Sequence, residues 1–338
     1  MKFQLLDCDY IHKGKQPILR LFGKTEKNKP ISVFVDDFSP YFYVDGDEEK
    51  LKKQLKKDRR VKNLKREKKF PGIGFRREKK DFVKVVMHSP KDVRELKESL
   101  RKEQYVKKIY EADILFKYRF LVDNNLHGME WVDFKGNRQH TQNVDCMAFA
   151  AKNIKPVEKS KNCDLKYMAF DLECLPQDTG RPIDSKKDPI IIISIAFSHK
   201  FKGKERMVLV AKKEKGENVY GFDGEKEMLE EFMKIYKAYD PDIVTGYNIN
   251  NFDFPYILDR LKKHDLDCCL GRDSKNCYCR TYGNNSEPVV PGRVVVDPYK
   301  ILKDDPFVRL DRYDLDTVSK KFLGEEKKDV EFTEMADL

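Results

Sequence analysis

The chain has 338 residues, of which 40% are hydrophobic and 37% charged, with a formal net charge of +10. This length suits about two domains with real cores, and the positive excess suits a polyanionic partner without proving one. We find no signal peptide after Met1 and no apolar run of about 20 residues, so we expect a cytoplasmic chain with reduced thiols and no membrane span.

Residues 1–125 are predicted to form a first α+β domain. Apolar runs indicate short strands around residues 3–5, 18–22, 31–35, 41–44 and 82–87. A helix start follows at Ser89-Pro90-Lys91-Asp92, because Ser is a common N-cap and Pro suits the first helical turn. For the basic stretch 52–69 we favour a solvated helix face followed by a strand over a dedicated DNA contact.

Residues 126–165 are predicted to be a polar connector, although residues 147–151 could pair as a strand. From residue 166 the pattern changes to α/β. Strands are indicated at residues 190–197, 207–211, 242–246 and 293–296, and helices at 228–239, 255–264 and 315–322. The second predicted domain therefore covers residues 166–338.

Two acidic residues end the first strand of this second domain. Its sequence is K-Y-M-A-F-D-L-E-C, with Asp171 and Glu173 two positions apart. Side chains two apart in a strand share a face, so these carboxylates repel each other unless a proton or cation lies between them. Mg²⁺ or Mn²⁺ would satisfy them. The alternative is a pair of exposed acids at a fraying strand end.

A third acid, Asp253, lies at the predicted start of the helix that follows the strand at 242–246. Taken alone, Asp253 is best explained as an N-cap and Asn248 as a turn residue. Taken with Asp171 and Glu173, it suggests three carboxylates converging where strands of an α/β sheet end, which is where such folds place their sites.

The segments F-D-L-E and, some eighty residues later, Y-N-I-N-N-F-D-F-P-Y resemble the first and second exonuclease motifs of family B DNA polymerases, D-x-E and N-x-x-x-F-D. The similarity also covers Leu6–Tyr10, Phe38–Tyr41, residues 90–121 and the run Tyr313–Val330. It fits the archaeal branch best. The resemblance implies an α+β N-terminal domain followed by a ribonuclease-H-like α/β exonuclease domain, incomplete at its C-terminus.

By this resemblance Asp171, Glu173 and Asp253 are ligands of two divalent metal ions, Mg²⁺ or Mn²⁺, in 3′-5′ hydrolysis of DNA. Asn248 and Phe252 would help to hold the primer 3′ end. Archaeal members also have an N-terminal pocket that captures uracil in the single-stranded template. Its residues map onto Tyr10, Pro40, Tyr41, Pro90, Val93, Phe116, Arg119 and Phe120. Phe120 stands where Tyr is common, and a plain hydrophobic core is the alternative for this set.

Two parts of the family pattern are missing. The third exonuclease motif, Y-x-x-x-D, lies in the family beyond the segment that matches Tyr313–Val330, and this sequence does not reach it. Tyr313 is not its tyrosine, because position 317 is Thr. The polymerase motifs D-x-x-S-L-Y-P and D-T-D are absent too. We therefore expect the N-terminal part of a split or truncated polymerase, a proofreading component that needs a second chain with palm, fingers and thumb. The alternative is a non-catalytic module that binds DNA and senses uracil.

Four of the eight cysteines, Cys268, Cys269, Cys277 and Cys279, form a further cluster. Their spacing, C-C-x7-C-x-C, is not a standard zinc spacing. Free thiols on a hairpin are therefore expected, with structural zinc as the alternative.

Overall fold

The computed structural model describes residues 1–72, 77–141, 143–178, 180–283 and 285–325. Backbone contacts divide the chain into two compact units. The first comprises Met1–Thr141 and Cys146–Cys163, and the second comprises residues 143–145 and 164–325. Residues 326–330 of the run that resembles family B polymerases lie outside the described residues. No described helix is both long and apolar enough to cross a membrane.

The first unit contains nine strands and three helices among its described residues. In chain order these are β1 (Lys2–Lys13), β2 (Gln16–Thr25), β3 (Pro30–Val35), β4 (Tyr41–Gly46), α1 (Glu48–Leu55), β5 (Val61–Lys69), β6 (Lys80–Met87), α2 (Val93–Leu100, after a 3₁₀ turn at Pro90–Asp92), β7 (Val106–Tyr110), α3 (Phe116–Asp123), β8 (Trp131–Gln139) and β9 (Met147–Val157). The expected α+β character is confirmed. The Ser89 hydroxyl accepts a hydrogen bond from the Lys91 N–H at 3.3 Å, as an N-cap should.

A closed barrel of five strands, in the order β1-β2-β3-β9-β8, forms the larger part of this unit. Its core is filled by apolar side chains such as Phe3, Leu19 and Val33, and by Phe116 and Phe120 of α3. A separate four-stranded sheet, β5-β6-β4-β7, packs Phe42 and Val85 against the buried leucines of α1 and α2. The basic stretch 52–69 is the end of α1 followed by β5, whose lysines are exposed.

The expectation of a connector over residues 126–165 is corrected by the structure. This segment supplies β8 and β9, which pair with each other from Trp131–Val157 to Gln139–Ala148. Strand β9 also pairs in parallel with β3, and β8 pairs with β1, so the two strands close the barrel. The polar composition misled the interpretation because the outer faces of these strands are exposed and carry lysine and asparagine.

The second unit is built on a seven-stranded mixed sheet. Its described elements are β10 (Tyr167–Cys174), β11 (Ile190–Phe201), β12 (Lys204–Val210), β13 (Lys215–Gly216), β14 (Val219–Gly221), α4 (Glu225–Tyr239), β15 (Ile243–Thr245), α5 (Asp253–Lys263), β16 (Tyr278–Tyr282), β17 (Asn285–Val289), β18 (Val294–Val296), α6 (Pro298–Asp304) and α7 (Leu315–Phe322). The strand order is β13-β14-β12-β11-β10-β15-β18, and β16 and β17 form a separate hairpin.

Strand β10 presents one apolar face to the helices of this unit. Met168, Phe170, Leu172 and Cys174 alternate as buried residues along it. The Phe170 ring contacts Phe232 of α4 at 5.4 Å and Phe254 of α5 at 5.9 Å between ring centroids. These contacts fix the position of α5 along β10. Because Asp253 is the first residue of α5, they also fix the position of Asp253.

All eight cysteines are free thiols. Cys268 and Cys277 are buried, and the Cys277 N–H donates to the Cys268 carbonyl at 2.9 Å. Within the described ranges, no three His, Cys, Asp or Glu side chains are gathered as a metal site.

Candidate active site

Asp171 and Glu173 lie on the face of β10 opposite its buried apolar side chains. Asp171 is exposed and Glu173 half-buried, with buried Leu172 between them. On the neighbouring antiparallel strand β11, Asp171 is paired with Ser194 and Glu173 with Ile192. The shared face is the one predicted from the D-x-E spacing.

On the side of β10 away from β11, the neighbouring strand is β15, which leaves the second part of β10 without a strand partner. It pairs in parallel with β10 only from Tyr167 to Ala169, and its last residue is Thr245. The chain then turns at Gly246 close to the backbone of β10, where an added Cβ would lie 2.7 Å from the Phe170 carbonyl oxygen. Only glycine allows this approach without a shift of the backbone. The turn brings the following segment back towards Asp171.

Asp253 reaches β10 directly. Its Oδ1 accepts a hydrogen bond from the backbone N–H of Leu172 at 3.1 Å. Leu172 is the residue between the two acids of β10, so the third carboxylate is joined to the strand at the point where the other two project. The explanation of Asp253 as an N-cap is corrected: Asp253 is the first residue of α5, and the cap position is occupied by Phe252, which makes no side-chain cap bond.

The Asp253 carboxyl is buried, with only 2% of its surface exposed. Burial, followed by the negative charge of Asp171, raises the pKa of Asp253 to about 7, and Asp297 adds to the effect. A carboxyl with this pKa is held where a cation would stabilise its ionised form.

The three acids fit Mg²⁺ or Mn²⁺ by donor chemistry, because these ions prefer carboxylate oxygens. They also fit by charge, since burial and Asp171 both oppose ionisation of Asp253. In the part of the chain that the structure describes, they are not gathered closely enough to enclose an ion.

Asn248 and Phe252 lie in the turn that precedes α5. Asn248 is half-buried and adopts a left-handed backbone with φ of 59°, and its Oδ1 accepts a hydrogen bond from the Asn251 amide at 3.0 Å. The Phe252 ring is half-buried and packs against Tyr256 at 5.4 Å. Both predicted residues therefore precede Asp253 in the chain and belong to the same turn.

Sequence reasoning missed Asp297, a fourth acid beside this turn. It follows β18 directly and is 3% exposed. Its carboxylate accepts hydrogen bonds from the backbone N–H groups of Asn248, Asn250 and Tyr299 at 3.0, 3.2 and 3.0 Å. The available signal was an acid directly after a strand of three valines and directly before Pro298.

Comparisons with known proteins identify a family and relatives for this chain. The model of DNA polymerase family B, exonuclease domain, matches residues 107–318. The DNA polymerase of Archaeoglobus fulgidus is 32% identical over 300 residues, which cover 88% of this chain and 34% of that protein. The DNA polymerase delta catalytic subunit of Schizosaccharomyces pombe is 28% identical over 386 residues, covering 99% of this chain and 35% of that one.

The solved structure of the family B DNA polymerase from Pyrobaculum calidifontis matches with a TM-score of 0.79 at 26% identity, over 95% of this chain and 39% of that one. The chain belongs to the family B DNA polymerases. The resemblance stated from the motifs and its fold class are thereby confirmed. The chain spans about a third of the length of the curated relatives it matches.

The first unit of this family B chain contains a cavity. An open cavity of about 480 Å³ is lined by seven of the eight residues predicted for a uracil pocket: Tyr10, Pro40, Tyr41, Pro90, Val93, Phe116 and Arg119. The eighth, Phe120, does not line it, because its ring packs in the barrel core against Phe38 at 5.2 Å. Phe116 also belongs to the barrel core and Tyr41 to a second buried cluster, so the predicted set combines core residues with residues that line the cavity.

Arg119 is the charged residue of the cavity that is most fully buried, with 7% of its surface exposed. Its guanidinium lies 4.7 Å from the centre of the Tyr41 ring and forms an ion pair with Glu111 at 2.8 Å. Its buried Nε has no hydrogen-bond partner. The Tyr41 hydroxyl donates to Asp123 at 2.6 Å, which fixes the ring. The cavity is therefore lined by three aromatic rings and by several charged side chains, and one of its buried donors, Arg119 Nε, has no hydrogen-bond partner.

Proposed function

We propose that the second unit is a 3′-5′ exonuclease that hydrolyses the terminal phosphodiester of DNA, and that the chain serves proofreading during DNA replication. One observation carries the proposal: Asp253 Oδ1 bonds to the N–H of Leu172, between Asp171 and Glu173. This bond places the carboxylate of the second motif against the strand that carries both acids of the first motif, which supports a shared role in metal-dependent phosphodiester hydrolysis.

The roles of the side chains follow from their positions. Asp171, Glu173 and Asp253 would hold two divalent ions, which when bound supply an activated water and neutralise charge on the attacking and leaving oxygens. Asn248 and Phe252, in the turn next to Asp253, would hold the 3′-terminal nucleotide by hydrogen bonding and stacking. Stacking suits proofreading because every base offers a ring face, so the contact tolerates any sequence.

DNA synthesis would need more than this unit. The relatives that it matches are about three times longer, and motifs for the palm, fingers and thumb are absent from the 338 residues. We propose that a second polymerase chain supplies these parts. The partners of this chain are then that chain, the primer 3′ end and the single-stranded template.

The exonuclease proposal is tested with the double variant Asp171→Ala, Glu173→Ala. We expect the unmutated chain to bind Mn²⁺ in calorimetry and to shorten a primer with a mismatched 3′ end. The double variant should bind no Mn²⁺ and degrade the primer at least about a hundredfold more slowly, because two of three metal-holding carboxylates are gone. Its melting temperature should be preserved, since Asp171 is exposed and Glu173 half-buried.

A matched control is Asp178→Ala, Glu214→Ala, which removes two exposed acids elsewhere in the same unit. It should behave like the unmutated chain. Equal degradation by the unmutated chain and the Asp171, Glu173 variant would show that the acids are misassigned. A folded but inactive unmutated chain that binds no Mn²⁺ would instead favour the non-catalytic module.

The N-terminal cavity supports a second function, template uracil sensing. Its aromatic walls and 480 Å³ volume can admit a flat base, and the small side chain of half-buried Val93 contributes to that space. We propose that backbone groups read the edge of uracil, while the walls exclude the methyl group of thymine by shape.

This proposal predicts that single-stranded DNA with one uracil binds more tightly than the same DNA with thymine, by about tenfold, since one excluded methyl group is worth 1–3 kcal/mol. Val93→Gln should erase the difference by filling the cavity. Val122→Gln, the same change at a residue that is 70% exposed and outside the cavity, should preserve it. Fluorescence anisotropy measures both. Equal affinity of the unmutated chain for the two DNAs would count against uracil sensing.

A further inference from the structure

Asp297 joins the turn before α5 to the start of α6. One of its oxygens accepts the N–H groups of Asn248 and Tyr299, and the other accepts the N–H of Asn250. The Tyr299 bond is an ordinary N-cap of α6. The other two bonds lead away from α6 to a segment about 50 residues earlier, which an N-cap alone would not require.

The turn that Asp297 holds is costly to form. Asn248 has a φ of 59°, in the left-handed region that asparagine tolerates better than most residues but less freely than glycine. Asn250 is buried, and its side-chain Oδ1 has no hydrogen-bond partner. A buried carboxylate that accepts two backbone N–H groups of this turn offsets that cost, because hydrogen bonds to a charged group are stronger than neutral ones.

The same bonds argue against Asp297 as a fourth metal ligand. Both of its oxygens are directed at backbone N–H groups, one of which belongs to α6. A carboxylate with its oxygens engaged in this way supports the backbone, whereas a ligand oxygen has to face the ion.

We propose that Asp297 is a positioning residue of the exonuclease site, which fixes the turn from Gly246 to Phe252 and thereby sets Asn248 and Asp253 opposite β10. The expected effect on metal binding rests on the proposed exonuclease function. The effect on the turn itself does not depend on that function. Catalytic groups have to be held within about 0.5 Å of their working geometry, so a loosened turn should weaken the site without removing any of its ligands.

The test uses two variants of the whole chain. Asp297→Ser keeps a short N-cap for the Tyr299 N–H but is too short to reach Asn248 and Asn250. Asp297→Asn keeps the shape and presents an amide NH₂ group where an acceptor is needed. In Asp297→Ser, the amide hydrogens of Asn248 and Asn250 should both exchange with solvent at least about tenfold faster. In Asp297→Asn, the amide oxygen can still accept the Asn248 and Tyr299 N–H groups, so the faster exchange is expected at Asn250. In Asp297→Ser, exchange at Tyr299 should change little.

Calorimetry with Mn²⁺ alone gives the second readout. We expect about a tenfold weaker Mn²⁺ affinity in both Asp297 variants, in the range seen when a residue supporting a metal ligand is replaced. Asp305→Asn is the matched control, because Asp305 is the C-cap of the same helix and its carboxylate accepts the Phe307 N–H at 2.8 Å. It should leave both readouts unchanged.

The outcomes separate the two proposals. Faster exchange at Asn248 and Asn250 with unchanged Mn²⁺ affinity would overturn the positioning role and leave Asp297 as a structural residue. Unchanged exchange at both amides would overturn it at its first step. If the unmutated chain binds no Mn²⁺, the exonuclease proposal fails, and the role of Asp297 at the site fails with it. Amide hydrogen exchange at Asn248 and Asn250 still decides whether Asp297 holds the turn. If Asp297→Asn does not fold, Asp297→Ser decides alone.

Discussion

Replacing Asp253 with asparagine is expected to remove Mn²⁺ binding and slow primer degradation by at least about a hundredfold, while making the metal-free chain more stable. The amide can still accept the Leu172 N–H through its oxygen, so the link between α5 and β10 is kept. The charge that would hold a cation is lost. Activity and stability should therefore change in opposite directions, which a merely structural Asp253 would not produce.

The gain in stability follows from the sign of the pKa shift. Burial and Asp171 raise the pKa of Asp253 to about 7 in the folded chain, compared with about 3.9 for an unfolded aspartate. The folded state therefore favours the protonated carboxyl. Its contribution to stability is fully present below about pH 4 and is lost as the pH rises to about 7. The asparagine variant has no such loss, so its advantage should grow over this range, to on the order of 2–4 kcal/mol.

Thermal melts of both proteins in EDTA, at pH 4, 6 and 8, measure this difference, and calorimetry at pH 8 measures Mn²⁺ affinity. Asp259→Asn is the matched control on the same helix, where the carboxylate accepts the Ser185 hydroxyl at 2.7 Å. It should leave Mn²⁺ binding unchanged. An Asp253→Asn protein that is less stable at pH 8 and still binds Mn²⁺ would show that Asp253 serves only to link α5 to β10.

The parts of the site that could be predicted from the sequence are those that depend on the spacing of residues within one strand or motif. The apolar run before Asp171 fixed β10, and the two-residue spacing placed Asp171 and Glu173 on one face. The N-x-x-x-F-D motif marked Asn248 and Asp253. Their meeting with β10 was inferred from the α/β fold class and from a resemblance, because no local rule relates residue 253 to residue 172.

The parts that could not be predicted depend on pairing between distant segments. Asp297 has no motif, and its role exists only because β18 lies beside β15 and ends next to the turn at Asn248. The segment 126–165 was misjudged for the same reason, since β9 becomes recognisable as a barrel strand only through its pairing with β3. Phe120 had the right composition for the cavity, but on α3 its side chain faces the barrel core.

Arg260→Met is expected to lower the stability of the chain by about 3–5 kcal/mol, the usual cost of removing one partner of a buried ion pair. Arg260 of α5 and Glu225 of α4 are 3% and 8% exposed and are joined by two hydrogen bonds. Glu225 also accepts the Ile190 N–H at 2.8 Å and contacts the His264 ring at 2.7 Å. Without Arg260, a buried carboxylate would lose its main partner.

The loss should depend on pH. Burial by itself raises the pKa of Glu225, but the hydrogen bonds from Arg260, His264 and Ile190 outweigh it, and the pKa is lowered. A lowered folded pKa means that the pair stabilises the chain above the unfolded value of about 4.3 and loses this effect as the pH falls through the folded value. The two proteins should therefore differ most at pH 7 and less at pH 4. Urea denaturation at both values measures this.

Two further variants test whether the loss of stability comes from the burial of the ion pair. Arg101→Met breaks an exposed pair with Glu98, both residues being more than half exposed, and should cost less than about 1 kcal/mol. The double variant Glu225→Leu, Arg260→Met removes both charges and should recover much of the loss, because a packed apolar pair often replaces a buried ion pair at little cost. A single Arg260→Met variant as stable as the unmutated chain would contradict the argument.

Because α5 begins with Asp253, Arg260→Met should also weaken Mn²⁺ binding, and the double variant should restore part of it.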